Sequence, residues 1–497
     1  MVTRLLRLAS ALVALLLAPL LVQGFVGNAT RAQESPAAPA APVVRPAFAP
    51  PRHLVVVTLD TVRADRMGCY GYFRDTTPAL DALAAESLRF TRCLTPVAQT
   101  TPSHVTLFTG VTPYEHGVLS NHALQTDTGL QTSESLRTLA EALKARGVRT
   151  GGFVGATPVT RASGLDAGFE RFTEPADRRR LGSEVVADAL RFIDECGEAP
   201  FFAWLHLYDA HEPLVPPWTP EAHLEWFRED GAAAAWRAER GITGAEVRRK
   251  DKAYPLAAMH GEYDGALRFM DDQLAVLFER LLAPPLRDRT VLVVVADHGT
   301  ALGQHDHMGH GLVWDEQLRI PLLVRVPGVA PRTVDAPLST LDLWPTVMAL
   351  APDLAEAGFL AQCRGGDVLA DDFEPVPIFA FAANRRSKGS GPAESLTHGR
   401  WKLIFARPGR KELYDLELDP HERRDIAKEQ PDITERMVKL LLARAAEEQR
   451  RRALHQGRDG GAGKVDPKLK ADLEALGYVD GDEAGGADAD RREDDGR

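Results

Sequence analysis

The sequence predicts an α/β fold with a large, mostly parallel sheet flanked by helices and a small α+β lobe near the C-terminal end. Residues 53–59 (HLVVVTL) and 290–296 (TVLVVVA) are near-continuous runs of β-branched and apolar residues, which are typical of strands buried on both faces. Strand-like segments at 149–154 and 201–207 enclose an amphipathic helical segment at 182–196. This alternation of strands and helices is typical of a doubly wound sheet.

The other elements of this main α/β domain, residues 53–375, are predicted from apolar spacing and turn signals. In chain order we predict a helix at 78–88, a strand at 88–94, a helix starting near Thr100, a helix at 260–282, a strand at 320–326 and a helix at 340–350. The apolar residues of the helix at 260–282 fall on one stripe, which predicts that this helix packs on the sheet. Residues 213–255 are polar and charged, and we expect an excursion over the sheet there.

The chain changes in character after about residue 375. Short strand patterns at 377–382, 401–406 and 412–415 precede a helix predicted over 431–452. We therefore expect a small C-terminal lobe of the same unit at 376–452.

Charge and composition restrict the partners of the chain. The 497 residues carry a net charge of −11, and residues 480–497 alone hold eight acids against three arginines. We expect residues 453–497 to form a largely disordered acidic tail. No basic stripe with interleaved aromatic residues occurs, so a nucleic-acid partner is not expected.

The N-terminal segment indicates export. Arg4 and Arg7 precede an apolar run at 8–22, so residues 1–32 are predicted to be a secretory signal peptide, with an uncleaved anchor as the alternative. An Ala/Pro-rich linker at 33–52 would follow. The protein is then periplasmic, in the cell envelope or extracellular, and it contacts a membrane only through such an anchor. Its four cysteines lack C-x-x-C spacing, which argues against a cysteine zinc site and indicates no particular disulfide.

The stretch T-P-V-A-Q-T-T-P-S-H-V-T-L-F-T-G at 95–110 carries a candidate nucleophile. Thr100 and Thr101 are residues that cap helices, and Pro102 suits the first helical position. A hydroxyl at such a helix start faces backbone N–H groups and the positive end of the helix dipole, which favours an anion.

Acids follow the two buried strands, where ligands of open α/β sheets bind. Asp60 ends the first strand, and Asp297 and His298 end the second. Together with the Thr100 oxygen, these side chains would hold one divalent metal ion, with zinc or manganese favoured and calcium or magnesium retained as alternatives. Such an ion would lower the pKa of the Thr100 hydroxyl and neutralise charge on a tetrahedral ester.

Five histidines lie in two loops near predicted strand ends. They are His206, His211, His305, His307 and His310. Their candidate roles are protonation of a leaving group, contact with substrate oxygens and binding of a second ion.

A series of motifs in a specific order resembles the sulfatase family of the alkaline-phosphatase-like superfamily. The resemblance covers about residues 53–430 and rests on these blocks: D-T-V-R-A-D at 60–65, T-T-P-S-H with the following T-G, G-V-T-P-Y-E-H-G at 110–117, the loop 208–217, Tyr263-Asp264 with Asp271 or Asp272, D-H-G at 297–299, R-I-P-L-L-V-R-V-P-G at 319–328, D-L-W-P-T at 342–346 and L-Y-D-L-E-L-D-P at 413–420. It implies the alkaline-phosphatase-like fold and ester hydrolysis by residues 53–375.

The departures from the family pattern concern the site itself. Type I sulfatases carry Cys or Ser in a C-x-P-x-R block, and that residue is oxidised to formylglycine; here Thr100 stands at this position and His104 at the arginine, so no formylglycine is expected. Thr61 replaces a second acid, and His298 replaces an asparagine. This set, with the paired His206 and His211 and with His310-Gly311, resembles phosphoethanolamine transferases, lipoteichoic acid synthases and nucleotide phosphodiesterases.

The resemblance therefore predicts a metal-dependent hydrolase of sulfate or phosphate esters with Thr100 as nucleophile. His211 and His310 would act as catalytic histidines, whereas His104, His206, His305 and His307 are candidates for substrate or second-metal binding. The substrate would be a small-molecule, glycan or lipid ester. The alternatives are an envelope phospho-group transferase or phosphodiesterase and a non-catalytic binding protein with the sulfatase fold. A membrane-anchored transferase would normally bring several membrane helices.

Overall fold

The computed structural model describes residues 51–121, 129–211, 218–249, 252–383, 393–406 and 409–455. All of these residues belong to one compact unit. The predicted signal peptide, nearly all of the linker and the tail after residue 455 lie outside the described residues. Within the described ranges, no helix is both long and apolar enough to cross a membrane.

The helices and strands follow the predicted alternation. The strands are β1 (His53–Leu59), β2 (Leu88–Leu94), β3 (Arg149–Val154), β4 (Arg171–Thr173), β5 (Phe201–Leu207), β6 (Glu246–Arg249), β7 (Lys252–Pro255), β8 (Thr290–Ala296), β9 (Ala301–Leu302), β10 (Met308–Gly309), β11 (Arg319–Arg325), β12 (Arg332–Val334), β13 (Leu338–Ser339), β14 (Ile378–Ala382), β15 (Ala393–His398), β16 (Trp401–Ala406) and β17 (Arg410–Asp415). The helices are α1 (Pro78–Ala84), α2 (Thr100–Thr109), α3 (Pro113–His116), α4 (Leu139–Ala145), α5 (Gly182–Cys196), α6 (Glu221–Trp226), α7 (Gly231–Glu239), α8 (Leu256–Leu281), α9 (Asp315–Leu318), α10 (Leu343–Leu350), α11 (Ala357–Gln362) and α12 (Pro431–His455).

The central sheet has nine strands in the order β12-β2-β11-β8-β1-β5-β3-β4, with β13 paired to β2. β11 runs antiparallel to both β8 and β2, whereas the other pairings are parallel. This confirms the predicted mostly parallel sheet. Because Leu59 lies opposite both Ala296 and Leu207, the chain leaves β1, β8 and β5 at the same edge of the sheet.

The core lies on both faces of this sheet. Every residue of β1, β5 and β8 is buried, as their continuous apolar runs predict. The stripe on α8 is also buried and includes Tyr263, Leu267 and Leu274. Burial of each large apolar side chain stabilises the fold by about 1.5–3 kcal/mol, so these strands provide a rigid base for the groups at their ends.

The C-terminal lobe is a four-stranded antiparallel sheet, β14-β15-β16-β17, covered by α12. Met437 and Leu441 of α12 pack on Phe379, Leu403 and Leu413 of the sheet. The sequence prediction missed β15, because A-E-S-L-T-H has little apolar alternation and forms a strand only between two partners.

Several predicted boundaries are corrected by the structure. The helix expected at 260–282 begins four residues earlier, at Leu256. The last helix continues to His455, so the first residues of the predicted disordered tail are helical. The excursion at 213–255 contains α6, α7 and the hairpin β6-β7 in its described part.

All four cysteines are described, and none of them forms a disulfide.

Candidate active site

The carboxyl ends of β1 and β8 bring three predicted ligands together. Asp60 follows β1, while Asp297 and His298 follow its neighbour β8. One ligand atom from each of the three lies within 4.8 Å of the others, and all three side chains are buried. Two adjacent parallel strands thus place residues from distant parts of the chain in one cluster.

Thr100 lies beside this cluster at the start of α2. Its Oγ1 is 3.4 Å from Nε2 of His298, and the residue is fully buried. Gln99 occupies the position before the helix, so Thr100 and Thr101 are its first two residues, and Pro102 is the third rather than the first. The helix start is therefore shifted from the prediction, but the hydroxyl lies at the positive end of the helix as expected.

Asp297 is held in an environment that disfavours its charge. Burial, together with the nearby Asp60 carboxylate, raises the pKa of Asp297 to about 8. Its Oδ1 accepts the N–H groups of Thr61 at 3.1 Å and of His298 at 2.7 Å. Its buried Oδ2 accepts no hydrogen bond from the part of the chain that the structure describes. A cation beside Oδ2 would relieve both the repulsion between the acids and the unmet hydrogen-bonding capacity.

His298 presents the ring nitrogen that a metal requires. Its Nδ1 lies 2.9 Å from the Gly299 carbonyl oxygen, which accepts the N–H and leaves the Nε2 lone pair facing Thr100 and Asp297. Burial lowers the pKa of His298 to about 4, which keeps the imidazole neutral. Two carboxylates, a neutral imidazole and a hydroxyl fit a divalent cation such as zinc or manganese.

His206 and His104 lie behind the cluster. His206 Nε2 donates to Oδ2 of Asp60 at 3.1 Å from its position in β5. His104 Nδ1 donates to the Thr100 carbonyl oxygen at 2.8 Å, and its Nε2 is 3.0 Å from the Thr58 hydroxyl. Burial lowers the pKa of both rings, to about 4 for His206 and about 3 for His104. These contacts orient Asp60 and the first turn of α2.

His211 and His310 lie on the side of the cluster next to His298. The ring centroid of His310 is 4.3 Å from that of His298 and 5.7 Å from that of His211. Nδ1 of His310 is 3.1 Å from the carbonyl oxygen of Ala98, while the His211 ring stacks on Tyr208 at 4.4 Å. The structure therefore brings both candidate catalytic histidines to the site from separate loops.

His305 and His307 do not belong to this cluster. His305 stacks on Trp314 at 4.2 Å and forms a second group with Glu316 and Glu422. The Lys402 ammonium already lies 2.7 Å from Glu422 and supplies positive charge there. His307 closes the β9-β10 turn, where its carbonyl oxygen accepts the Gly303 N–H at 2.9 Å.

Asn121 contacts the neighbours of the candidate nucleophile, a position that the sequence did not predict. Its N–H donates to Oε1 of Gln99 and its Oδ1 accepts the Thr101 N–H, both at 2.9 Å, so it contacts the residues on either side of Thr100. Its buried Nδ2 has no hydrogen-bond partner among the described residues. A single asparagine in a loop carries no sequence signal for this role, which depends on the path of the loop back to α2.

The fold is that of the alkaline-phosphatase-like ester hydrolases. The sulfatase family model matches residues 52–354, and the chain therefore belongs to the sulfatase family. It is 28% identical to human (Homo sapiens) arylsulfatase A over 457 residues, which cover 80% of this chain and 89% of the relative. It is 26% identical to the uncharacterized sulfatase YidJ of Escherichia coli (strain K12), with coverage of 76% and 83%.

Solved structures show the same fold. The phosphonate monoester hydrolase of Agrobacterium radiobacter superposes with a TM-score of 0.63 at 20% identity, covering 80% of this chain and 96% of that chain. BT1596, a 2-O GAG sulfatase, superposes with a TM-score of 0.60 at 19% identity, covering 85% and 96%. The predicted family, fold and enzyme class are confirmed; the roles of Thr100 and of the metal ligands stay predictions.

Proposed function

We propose that this chain is a metal-dependent hydrolase of phosphate or sulfate esters that uses Thr100 as its nucleophile. The observation that carries the proposal is the position of the Thr100 hydroxyl, 3.4 Å from a neutral imidazole of a cluster with two buried carboxylates. The first turn of a helix lies behind this hydroxyl, and its N–H groups favour negative charge on the oxygen.

Asp60, Asp297, His298 and Thr100 would hold the ion. A bound divalent cation would lower the pKa of the threonine hydroxyl and neutralise charge on a tetrahedral phosphoryl or sulfuryl group. His206 holds Asp60 in place through its hydrogen bond to Oδ2. His104 holds the helix start in place through its hydrogen bond to the Thr100 carbonyl oxygen.

The covalent steps would run through this chain's own residues. Thr100 Oγ1 passes its proton to solvent water and forms a bond to phosphorus or sulfur, while the bond to the leaving alcohol oxygen breaks. His211 or His310 donates the proton that this oxygen needs. Water then attacks the threonine ester, which releases the inorganic anion and restores the hydroxyl.

We favour a phosphate ester over a sulfate ester. A threonine alkoxide suits attack at phosphorus and breakdown of the resulting ester, whereas the formylglycine hydrate of type I sulfatases releases sulfate without a second attack at sulfur. The names of similar proteins include both sulfatases and a phosphonate monoester hydrolase. These names do not distinguish the two ester types, so our preference rests on the residues of the site.

A parallel assay decides the ester type. Aryl sulfate, aryl phosphate and bis-aryl phosphate are offered to the full chain with zinc, manganese or calcium. We expect metal-dependent cleavage of a phosphate ester, and exclusive cleavage of the sulfate would contradict our preference. Activity that survives exhaustive removal of metal by a chelator would contradict the metal role.

The nucleophile is tested with two neighbouring threonines. Thr100→Ala should lower kcat by at least about a thousandfold, since it removes the attacking atom. Thr101→Ala is the control, because the Thr101 hydroxyl donates to the Pro158 carbonyl oxygen and takes no part in the proposed step. Wild-type turnover by folded Thr100→Ala would exclude Thr100 as the nucleophile.

We also propose that the enzyme acts outside the cytoplasm. The basic and apolar pattern at residues 1–32 supports this proposal. Fractionation of cells that express the full chain tests it: the protein should accompany a periplasmic, envelope or extracellular marker, and recovery with cytoplasmic markers would refute export.

A further inference from the structure

The residue after Asp60 has a backbone conformation that threonine rarely adopts. Thr61 has a φ of 56°, in the left-handed region, and is fully buried. A β-branched side chain is disfavoured there, and such a residue persists only where surrounding contacts hold it. The contacts of Thr61 are therefore informative.

Thr61 is hydrogen-bonded through its N–H, its carbonyl oxygen and its hydroxyl. The N–H donates to Oδ1 of Asp297 at 3.1 Å, and the hydroxyl donates to the Ala210 carbonyl oxygen at 3.2 Å. The carbonyl oxygen accepts the Tyr263 hydroxyl at 2.8 Å. The Tyr263 oxygen also accepts the N–H of Arg63 at 3.1 Å, so this buried side chain from α8 bridges the whole turn.

This turn decides how Asp297 is oriented. Oδ1 of Asp297 is engaged by the N–H groups of Thr61 and His298, and this leaves Oδ2 to face His298 Nε2 at 3.3 Å. The hydroxyl of Thr61 is directed to Ala210 instead of the cluster. Thr61 therefore serves the site through its main chain, provided that its strained conformation is maintained.

We propose that Tyr263 is a positioning residue of the metal site. By holding Thr61 in the left-handed conformation, the Tyr263 hydroxyl fixes the N–H that orients Asp297 and so increases the affinity of the cluster for a divalent cation. The proposal rests on the proposed function only in that Asp60, Asp297 and His298 bind such an ion; it is independent of the ester that is cleaved. Groups that orient metal ligands typically contribute about 10–100-fold to metal affinity.

The experiment measures the dissociation constant of manganese(II) by calorimetry on the full chain without substrate. Tyr263→Phe removes one oxygen at nearly constant volume and should weaken binding by about tenfold or more. Tyr70→Phe is the matched control, because its hydroxyl bridges the main chain of Phe90 and Leu322 in the same way without touching Thr61. It should leave manganese affinity unchanged.

A glycine at position 61 separates positioning from general loosening of the fold. Glycine adopts the left-handed conformation without strain, so Tyr263→Phe in a Thr61→Gly background should weaken binding by less than about threefold. Any of three results would overturn the proposal. They are an equal loss of manganese affinity in both backgrounds, an equal loss in Tyr70→Phe, and unchanged affinity of Tyr263→Phe. If Tyr263→Phe alone does not fold, the proposal requires that Thr61→Gly restores folding, and a double variant that stays unfolded refutes it.

Failure of the metal site itself has a different signature. In that case the wild type and Asp60→Asn bind manganese equally weakly, and both the metal site and the positioning role of Tyr263 are rejected. If instead the wild type binds and Asp60→Asn does not, the metal site stands, and the result for Tyr263→Phe decides the positioning role alone.

Discussion

At the residue scale, the candidate metal ligand Asp297 lies in an environment that disfavours its charge. Its carboxyl is fully enclosed, its Oδ1 is engaged by two N–H groups, and Asp60 lies beside it. Ionisation of this group in the absence of a cation is unfavourable, because the carboxyl is buried and lies beside Asp60. Function and stability therefore make opposite demands on the same side chain.

This opposition predicts a pH dependence of the metal-free protein. The pKa of Asp297 in the folded state, about 8, is above the ordinary value of 3.8, so the folded chain binds this proton more tightly than the unfolded chain. The contribution of Asp297 to stability is thus favourable at low pH and is lost as the pH rises from about 4 to about 8. Thermal unfolding of the chelated wild type and of Asp297→Asn should show a steeper decline in Tm over this window for the wild type.

Two further observations complete this prediction. Asp297→Asn should be at least as stable as the wild type near pH 8 without metal, yet it should no longer be stabilised by added zinc or manganese. If Tm depends on pH in the same way in the two metal-free proteins, the predicted loss of stability through Asp297 is contradicted.

At the scale of elements, α8 connects the core to the site. Its buried stripe belongs to the same hydrophobic core as β1 and β8, and the same stripe presents Tyr263 to the turn after β1. A helix of 26 residues that is anchored along its length places one hydroxyl more accurately than a short loop could. This explains why a residue 200 positions away in sequence can hold the turn at Thr61 to Arg63.

The contribution of this helix can be measured with one pair of substitutions. Leu274→Ala, at a fully buried position, should lower the free energy of unfolding by about 2–5 kcal/mol through lost burial and a cavity. Val276→Ala on the same helix, where the side chain is 54% exposed, should change it by less than about 0.5 kcal/mol. Denaturant titrations provide both values, and equal effects would show that α8 is not packed as described.

At the scale of the whole molecule, a buried charge joins the C-terminal lobe to the main α/β domain. Lys402 of β16 is fully buried, with its ammonium 2.6 Å from Asp315 of α9 and 2.7 Å from Glu422. The Phe381 N–H also donates to the Pro96 carbonyl oxygen at 2.9 Å, just before the helix that starts with Thr100. The lobe thus supports the segment that leads to the candidate nucleophile.

Removal of this charge should destabilise the attachment of the lobe. Lys402→Met leaves two acids without their cation in a buried setting and should cost about 3–5 kcal/mol of unfolding free energy. Lys439→Met is the control, because its ion pair with Glu435 on α12 is exposed and contributes at most about 0.5 kcal/mol. Limited proteolysis should cut Lys402→Met faster within the lobe; resistance equal to that of the wild type would argue against this role.

The central architecture and the candidate metal ligands were predictable from the amino-acid sequence. The near-continuous runs of β-branched and apolar residues predicted β1 and β8 with acids at their ends. The structure shows that these strands are parallel neighbours, so the acids lie at one edge of the sheet. Short-range patterns of this kind depend on local burial and are visible in a single chain. They also indicated Thr100 at a helix start, although the start itself is two residues earlier than the position of Pro102 suggested.

The positions of the other polar residues relative to the candidate ligands become visible only in the tertiary structure. It places His206 and His104 behind the cluster, His310 beside it and His305 in a separate group with Glu316 and Glu422. It also reveals Asn121, Thr61 and Tyr263, whose relevance depends on hydrogen bonds between groups far apart in sequence. Such contacts leave no periodic pattern, because they are set by how loops and helices pack and not by the spacing of residues along the chain.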